Sequence, residues 1–200
     1  MKILVHACCG PCSIEPARIL RNEGHEVCLA FMNPNIAPYE EYAHRLEEFI
    51  RFCQMDGFDC VELDYDEARY EQSVAKEDKE YRSKRCKACY SLRLNDVAAY
   101  ASTHGYEALS STLSVSPYQY GDLIKDALEK AANTYNLKAL YRDFTSEYEA
   151  SVVDSRELGL YRQNYCGCRF SAVEAEKDRV LTKRKRHVQK ALERAYKRLK

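Results

Sequence analysis

The sequence predicts a doubly wound α/β protein with a mainly parallel sheet. Short apolar runs alternate along the chain with longer segments of helical periodicity. The first run, Lys2–Ala7, predicts a buried strand, and the helical pattern after it ends at Gly24, a typical helix terminator. Strands that alternate with helices form right-handed crossovers, which place helices on both faces of the sheet. We therefore expect an α/β catalytic domain over residues 1–170 and a basic C-terminal helical extension over residues 171–200.

The individual elements follow from the same periodicity. The predicted strands are Lys2–Ala7, Glu26–Phe31, Cys60–Leu63, Tyr106–Ser110 and Leu137–Tyr141. The predicted helices are Ser13–Asn22, Tyr39–Met55, Cys86–His104, Pro117–Tyr135, Ser146–Leu158 and the segment from Phe170 onward. Ligands of such sheets bind outside the carboxyl ends of the strands, which is where Cys8 and Cys9 fall.

Charge is balanced overall but uneven along the chain. The sequence has 31 Lys and Arg against 31 Asp and Glu, so no global field indicates a nucleic-acid or membrane partner. Between Lys183 and Lys200, however, nine basic residues face one acid, Glu193. This asymmetry is typical either of contact with a polyanion such as RNA or of a solvated helix face.

Ten cysteines require an explanation. The N-terminal apolar run is about five residues, shorter than the roughly 7–15 of a secretory signal. No apolar run of about 18 residues indicates a membrane span, so we expect no membrane partner and a cytoplasmic protein. Disulfides rarely persist in a reducing compartment. Metal binding or redox catalysis is then the expected role of the cysteines.

Seven of the ten cysteines fall in three close clusters: Cys8, Cys9 and Cys12; Cys86 and Cys89; Cys166 and Cys168. Seven thiolates exceed one tetrahedral zinc site, but they fit a four-thiolate iron–sulfur cluster plus a second metal with an open position. The alternative is a four-cysteine zinc site that leaves three thiols unused. The remaining Cys28, Cys53 and Cys60 are predicted to be small buried hydrophobic residues.

The three clusters, in this order, resemble the cobalamin-independent epoxyqueuosine reductases, the QueH family. The most specific stretch runs from Ser155 to Cys168, SRELGLYRQNYCGC. His6-x-Cys-Cys-x-Pro11, Asn33-Pro-Asn35 and Ser114-x-Ser-Pro-Tyr118 are similar too, so the match covers residue 3 to about 171. Some members of the family carry an aspartate in place of Cys12, which favours a mononuclear metal at that position.

The resemblance implies a fold of the PP-loop, nucleotide α-hydrolase-like group and the reduction of epoxyqueuosine in the tRNA anticodon loop. Because the reduction needs an electron store and a Lewis acid for the epoxide oxygen, we expect a [4Fe–4S] cluster and an adjacent mononuclear iron. We expect Cys9, Cys86, Cys89 and one of Cys166 and Cys168 on the cluster, and Cys8, Cys12 and the other on the iron. The expected partners are tRNA and an electron donor such as a ferredoxin or flavodoxin.

Further residues beside these motifs are candidates for proton transfer or RNA contact. The proton-transfer or orienting candidates are His6, Tyr118, Tyr161, Arg162 and Tyr165. The phosphate-contact candidates are Arg82, Lys84, Arg85, Lys183, Arg184, Lys185 and Arg186. His6 is equally compatible with a structural histidine satisfied by backbone groups.

Two other functions remain as alternatives on the basis of the sequence. An ATP-dependent iron–sulfur tRNA thiolase shares the fold group, but it would need a phosphate-binding loop after the first strand. Neither G-x-x-x-x-G-K-[ST] nor G-x-G-x-x-G is present, and cysteines occupy that turn. A zinc-stapled RNA-binding module is the non-enzymatic alternative.

Overall fold

A computed structural model describes residues 1–75 and 81–198 of the chain. Within these ranges the chain forms a five-stranded sheet in the order β3-β2-β1-β4-β5, and every pairing is parallel. The strands are β1 Lys2–Ala7, β2 Glu26–Phe31, β3 Asp59–Glu62, β4 Ala108–Ser111 and β5 Lys138–Ala139. The predicted parallel α/β architecture is confirmed.

Helices connect the strands and extend the chain after the last of them. The α-helices of the described residues are α1 Gly10–Asn22, α2 Tyr39–Asp56, α3 Glu67–Tyr70, α4 Arg82–Thr103, α5 Gly121–Thr134, α6 Tyr148–Glu157 and α7 Arg169–Arg198. A π-helical segment, Glu71–Ala75, follows α3, and single 3₁₀ turns cover Thr112–Val115 and Thr145–Glu147.

The core lies on both faces of the sheet because successive strand residues point to opposite sides. Ile3 and Val5 of β1 pack into a cluster with the buried faces of α1 and α2. Leu4, between them, packs into a second cluster with α4 and α5. A sheet buried on both faces explains why β1 and β2 read as nearly continuous apolar runs.

The strand order reverses between β1 and β4. The chain passes from β1 outward to β2 and β3, and then returns to place β4 on the other side of β1. His6 of β1 is paired with Ala30 on one side and with Ser111 on the other. Ligands of open α/β sheets bind in the crevice at such a switch point, outside the carboxyl ends of the strands.

Two helices begin earlier than the periodicity predicts, and both differences affect the site. The first helix starts at Gly10 rather than Ser13, because Pro11 is tolerated in the first turn, where the backbone N–H needs no helical acceptor. Cys12 therefore lies inside α1. The fourth helix starts at Arg82 rather than Cys86, so the basic residues before Cys86 share α4 with both of its cysteines.

The chain divides into two compact units, Met1–Arg162 and Gln163–Lys200. The first contains the sheet and six of the helices described above, and the second contains α7. Among the residues that the structure describes, no helix combines the length and apolar character needed to cross a membrane.

Candidate metal centre

Three cysteine thiols converge at the switch point, directly after β1. The sulfur atoms of Cys8, Cys9 and Cys12 all lie within 4.8 Å of one another. Cys9 is buried at 1% exposure, whereas Cys8 and Cys12 are half-buried. Their proximity follows from the turn between strand and helix, because Gly10 lets the chain pass close to α2. A Cβ at Gly10 would lie 2.9 Å from the Glu48 carbonyl oxygen.

Backbone and hydroxyl donors surround these sulfurs. The Cys12 N–H donates to Cys9 Sγ at 3.2 Å, so Cys9 acts as the N-cap of α1 through its thiol. The Thr112 hydroxyl, which follows β4, donates to Cys8 Sγ at 3.4 Å and accepts from the Cys8 N–H at 3.1 Å. A helix N-terminus and nearby N–H groups favour thiolates, which are the form that binds metals.

The three thiols differ in their affinity for protons. Hydrogen bonds from Cys12 and Cys9, assisted by Thr112 and the Arg93 cation, hold the pKa of Cys8 well below the usual thiol range despite burial. Hydrogen bonding to Cys8 and Cys9, together with burial, raises the pKa of Cys12 well above that range. Cys8 therefore ionises more readily than Cys12. This donor set fits three corners of a thiolate-bound metal or cluster.

Cys86 and Cys89 lie one turn apart on α4, on the other face of the sheet from α1. Cys86 packs against the same apolar cluster as Cys8, and Cys89 is buried at 7% exposure. In the part of the chain that the structure describes, no further group of three metal-binding side chains meets the spacing found for Cys8, Cys9 and Cys12.

A buried arginine connects the two cysteine groups. Arg93 follows Cys89 by one turn of α4 and donates to its sulfur at 3.8 Å. The same guanidinium donates to the Met32 carbonyl at 3.1 Å and to the Asn33 side-chain oxygen. Its charge also contributes to the low pKa of Cys8. The sequence analysis missed Arg93, although it shares a helix face with Cys86 and Cys89 through the i, i+3, i+7 spacing.

His6 is buried in β1 and both of its ring nitrogens have partners. Nε2 lies 3.2 Å from the Met32 carbonyl, which can only accept, so this nitrogen carries the proton. Nδ1 then accepts from the Ser111 hydroxyl at 3.1 Å. Burial, and secondarily the Arg93 charge, lowers the pKa of His6 to about 3. This geometry favours the interpretation of His6 as a structural histidine.

Two tyrosines and an arginine lie on the α6 side of the thiol group. Tyr118 is 69% exposed, and its ring meets that of Tyr148 edge-on at 6.2 Å. Burial is the main reason why the pKa of Tyr148 is raised. The neighbouring Tyr118 and Cys12 raise it further, whereas the Arg162 cation lowers it. Tyr148 belongs to none of the motifs in the sequence, so only the fold reveals that its helix packs against α1, which contains Cys12.

The segment from Leu158 to Arg162 is held by side chains of α2. Arg51 donates to the carbonyl oxygens of Leu158 and Gly159, at 2.9 and 3.1 Å, and so caps the end of α6. Glu48 accepts the Tyr161 N–H at 2.6 Å. The Tyr161 hydroxyl donates to the Glu41 carboxylate at 3.2 Å, and its ring stacks on His44 at 4.1 Å. These contacts fix the backbone immediately before Arg162.

Comparison with known proteins shows the family to which this chain belongs. The family model described as epoxyqueuosine reductase QueH matches residues 3–174. The epoxyqueuosine reductase QueH of Dehalococcoides mccartyi is 34% identical over 174 residues, which is 86% of this chain and 93% of the relative. The chain belongs to the QueH family. The QueH protein of Thermotoga maritima is 32% identical over 190 residues, or 92% of this chain and 97% of that one.

Solved structures support the fold class. A predicted subunit of a tRNA methyltransferase from Methanocaldococcus jannaschii superposes with a TM-score of 0.54 at 18% identity, covering 78% of this chain and 76% of that one. The U34-tRNA thiolase NcsA of Methanococcus maripaludis, solved with its [4Fe-4S] cluster, gives 0.52 at 13% identity, with 100% and 71% coverage. At these identities the likeness concerns the fold alone. The doubly wound fold expected of a QueH chain is therefore confirmed.

The third cysteine cluster of this QueH chain, Cys166 and Cys168, precedes α7. The Cys168 sulfur accepts the Ser171 N–H at 3.4 Å, just as the Cys9 sulfur accepts the Cys12 N–H at the start of α1. The carbonyl of Cys168 accepts from Ala172 at 3.1 Å. Gly167, between the two cysteines, has a φ of 128°, a backbone conformation that glycine adopts readily. Cys166 and Tyr165 are half-buried within this second unit.

The basic candidates differ in exposure. Lys84 and the run Lys183–Arg186 on α7 are exposed, and Arg82 is partly exposed. Arg85 is buried at 5% exposure and so is poorly placed to meet a phosphate.

The remaining cysteines follow the prediction only in part. Cys53 is buried as expected. Cys28 is half-buried, and Cys60 is exposed because β3 is an edge strand of the sheet. The expectation that all three are buried was wrong for Cys60.

Proposed function

We propose that this chain reduces epoxyqueuosine in the anticodon loop of tRNA to queuosine. The observation that carries the proposal is the convergence of Cys8, Cys9 and Cys12 at the switch point of a QueH chain. The reaction removes the epoxide oxygen and leaves a cyclopentene, which takes two electrons and two protons and releases water.

The residues proposed to bind metal are the seven clustered cysteines. Cys9, Cys86, Cys89 and one of Cys166 and Cys168 hold a [4Fe–4S] cluster, whereas Cys8, Cys12 and the other hold a mononuclear iron. The thiolate character of Cys8 and the N–H groups directed at Cys9 and Cys168 support this role. When bound, the cluster supplies electrons and the open-sited iron supplies a Lewis acid for the epoxide oxygen.

The first residues proposed to manage protons belong to α6 or contact it, and α6 packs against α1, the helix that contains Cys12. Tyr148 keeps its proton because its pKa is raised, so its hydroxyl is a donor, and the exposed Tyr118 next to it can exchange protons with water. The cation of Arg162 stabilises the negative charge that develops on the oxygen as the ring opens. Tyr161 serves chiefly to hold the backbone before Arg162, and Tyr165 is a further candidate donor.

Phosphate contacts are proposed for Arg82, Lys84 and the exposed run Lys183–Arg186. These residues supply the cationic charge that a tRNA backbone requires. A low-potential carrier such as a ferredoxin or flavodoxin supplies the electrons.

An anaerobic assay tests the proposal. The protein, reconstituted with iron and sulfide, is incubated with epoxyqueuosine-containing tRNA and a strong reductant, and the digested nucleosides are analysed by mass spectrometry. We expect loss of one oxygen atom from epoxyqueuosine, without ATP. Sulfur incorporation that depends on ATP would instead support a thiolase, and tRNA binding by a colourless zinc protein with no turnover would support a binding module.

A further inference from the structure

Exposed aromatic rings gather at the carboxyl edge of the sheet. Among the side chains that the structure describes, three aromatic residues are more than half exposed: Tyr39 at 60%, Tyr81 at 56% and Tyr118 at 69%. Tyr39 is the first residue of α2, Tyr81 is the N-cap of α4, and Tyr118 lies shortly before α5. A helix that connects two parallel strands runs antiparallel to them, so its N-terminus lies at their carboxyl edge.

This edge also carries the thiol group, which follows β1. Tyr118 meets Tyr148 of α6 edge-on, and α6 packs against α1, the helix that contains Cys12. Arg82, beside Tyr81, donates to the Tyr118 carbonyl at 3.2 Å, so the start of α4 adjoins Tyr118. Tyr39 lies on the other side of the thiol group, at the start of α2, the helix that packs against Gly10. The rings therefore flank the cysteines from two directions.

The exposed rings are supported from beneath. Tyr39 contacts the ring of Tyr42 at 5.9 Å and that of Tyr65 edge-on at 5.5 Å. The hydroxyls of these two supporting rings are themselves bonded, to Glu62 at 2.7 Å and to the Ile36 carbonyl at 2.8 Å. A ring that is held in place but exposed on one face loses little conformational entropy when a flat ligand stacks on it.

Charge differs between the two sides of the edge. The cations of Arg82 and Lys84 accompany Tyr81 and Tyr118, and the Lys84 ammonium lies 5.0 Å from the Tyr81 ring. On the other side, Glu40 and Glu41 follow Tyr39 and disfavour a phosphate there. Rings on both sides with cations on one side suit an unpaired RNA loop, in which bases stack on aromatic faces while the backbone meets the basic residues.

We propose that Tyr39 and Tyr118 stack on unpaired bases on either side of the reacting nucleotide, while Arg82 and Lys84 contact the adjoining phosphates. The proposal rests on the proposed function, because it assumes that the ligand is an RNA loop. It adds a recognition surface that requires single-stranded bases around the modified position.

The test compares variants that keep or remove a ring. Tyr39→Phe retains the stacking face, whereas Tyr39→Leu removes it. Tyr118→Phe and Tyr118→Leu form a second pair. Only the KM values of these two variants are compared with each other, because the Tyr118 hydroxyl is a proton-donor candidate. Tyr100→Leu is the matched control, since Tyr100 lies near the opposite end of α4, stacked on His104 at 3.7 Å. Circular dichroism shows whether each variant folds.

Steady-state reduction of an epoxyqueuosine-containing anticodon stem-loop gives the main result. Loss of one stacked base should raise KM by about 5- to 150-fold in the Leu variants. For Tyr39→Leu, kcat should stay within about twofold, and Tyr39→Phe and Tyr100→Leu should keep the wild-type KM. The KM of Tyr118→Leu should exceed that of Tyr118→Phe. A wild-type KM in folded Tyr39→Leu would overturn the proposal.

A binding measurement separates this proposal from the proposed function. Fluorescence anisotropy with the same stem-loop and with a fully paired duplex of equal length needs no turnover. If the wild type does not reduce epoxyqueuosine, the proposed function fails. The stacking surface still stands if the loop binds more tightly than the duplex and Tyr39→Leu, unlike Tyr39→Phe and Tyr100→Leu, removes that preference. It is overturned if Tyr39→Leu binds the loop like the wild type.

Discussion

Replacement of Arg93 by Met tests whether a buried cation organises the two cysteine groups of the α/β unit. Arg93 is 1% exposed, and its guanidinium joins α4 to the loop after β2 through the Met32 carbonyl and the Asn33 side chain. It also donates to the Cys89 sulfur. Met fills a similar volume but donates no hydrogen bond and carries no charge.

The expected loss of stability follows from the hydrogen-bond acceptors that lose the Arg93 donor. The Met32 carbonyl keeps a hydrogen bond from His6, so its cost is small. The Asn33 oxygen loses the Arg93 donor in a buried setting, which costs about 1–3 kcal/mol, and disruption of a buried charged network costs up to about 3–5 kcal/mol. We expect Arg93→Met to lower the free energy of unfolding by about 3 kcal/mol.

Urea denaturation of the reduced, metal-free protein measures this loss. Arg69→Met is the matched control, because Arg69 pairs with Asp96 on α4 at 2.7 and 2.8 Å but its side chain is 47% exposed. A surface pair of this kind contributes about 0–1 kcal/mol. Alkylation of Cys8 should also be slower in Arg93→Met than in the wild type, because the Arg93 cation lowers the pKa of that thiol. An Arg93→Met protein as stable as the Arg69→Met control would refute the reasoning.

Three other changes probe the fold and its surface. The pKa of His6 is about 3 in the folded protein, against 6.5 for a histidine in the unfolded chain. The stability that the buried neutral ring contributes is therefore complete above pH 6.5 and is lost as the pH falls towards 3. Denaturation between pH 7 and 4 should show a decline of about 3 kcal/mol that His6→Gln flattens, and parallel profiles would argue against burial of a neutral ring. Gly10→Ala should cost about 1–3 kcal/mol in thermal unfolding, because its Cβ would lie 2.9 Å from the Glu48 carbonyl oxygen, whereas an unchanged midpoint would deny that contact. Deletion of residues 183–200, which carry nine basic side chains, should weaken tRNA binding and flatten its dependence on salt, and an unaltered salt slope would exclude the tail from the interface.

The sheet was predictable where the chain carries local signals. The bounds of β1 and β2 agree with the predicted strands, because each is an apolar run that ends at a distinct turn. The last strand is shorter than predicted, Lys138–Ala139 instead of Leu137–Tyr141, because its pairing partner β4 is itself short and the strand lies at the sheet edge. The number of residues over which two strands pair depends on both strands, so the periodicity of one segment does not predict it.

The site was predictable only where its residues are close in sequence. Cys8, Cys9 and Cys12 belong to one motif, and their sulfurs converge. Arg93 and Tyr148 were missed because their roles come from packing between elements far apart in the chain: α4 against the loop after β2, and α6 beside α1. A helical spacing can place Arg93 on the face of Cys89, but it does not show what lies opposite.

Iron and acid-labile sulfide, measured on protein isolated without oxygen, test the central claim most directly. Alanine replacements of the clustered cysteines are compared with Cys53→Ala, whose thiol lies in the apolar core. We predict a brown wild-type protein, loss of iron or sulfide in each clustered variant, and retention of both in folded Cys53→Ala. Full iron and sulfide in Cys8→Ala, Cys9→Ala and Cys12→Ala, or their absence from the wild type, would contradict the account.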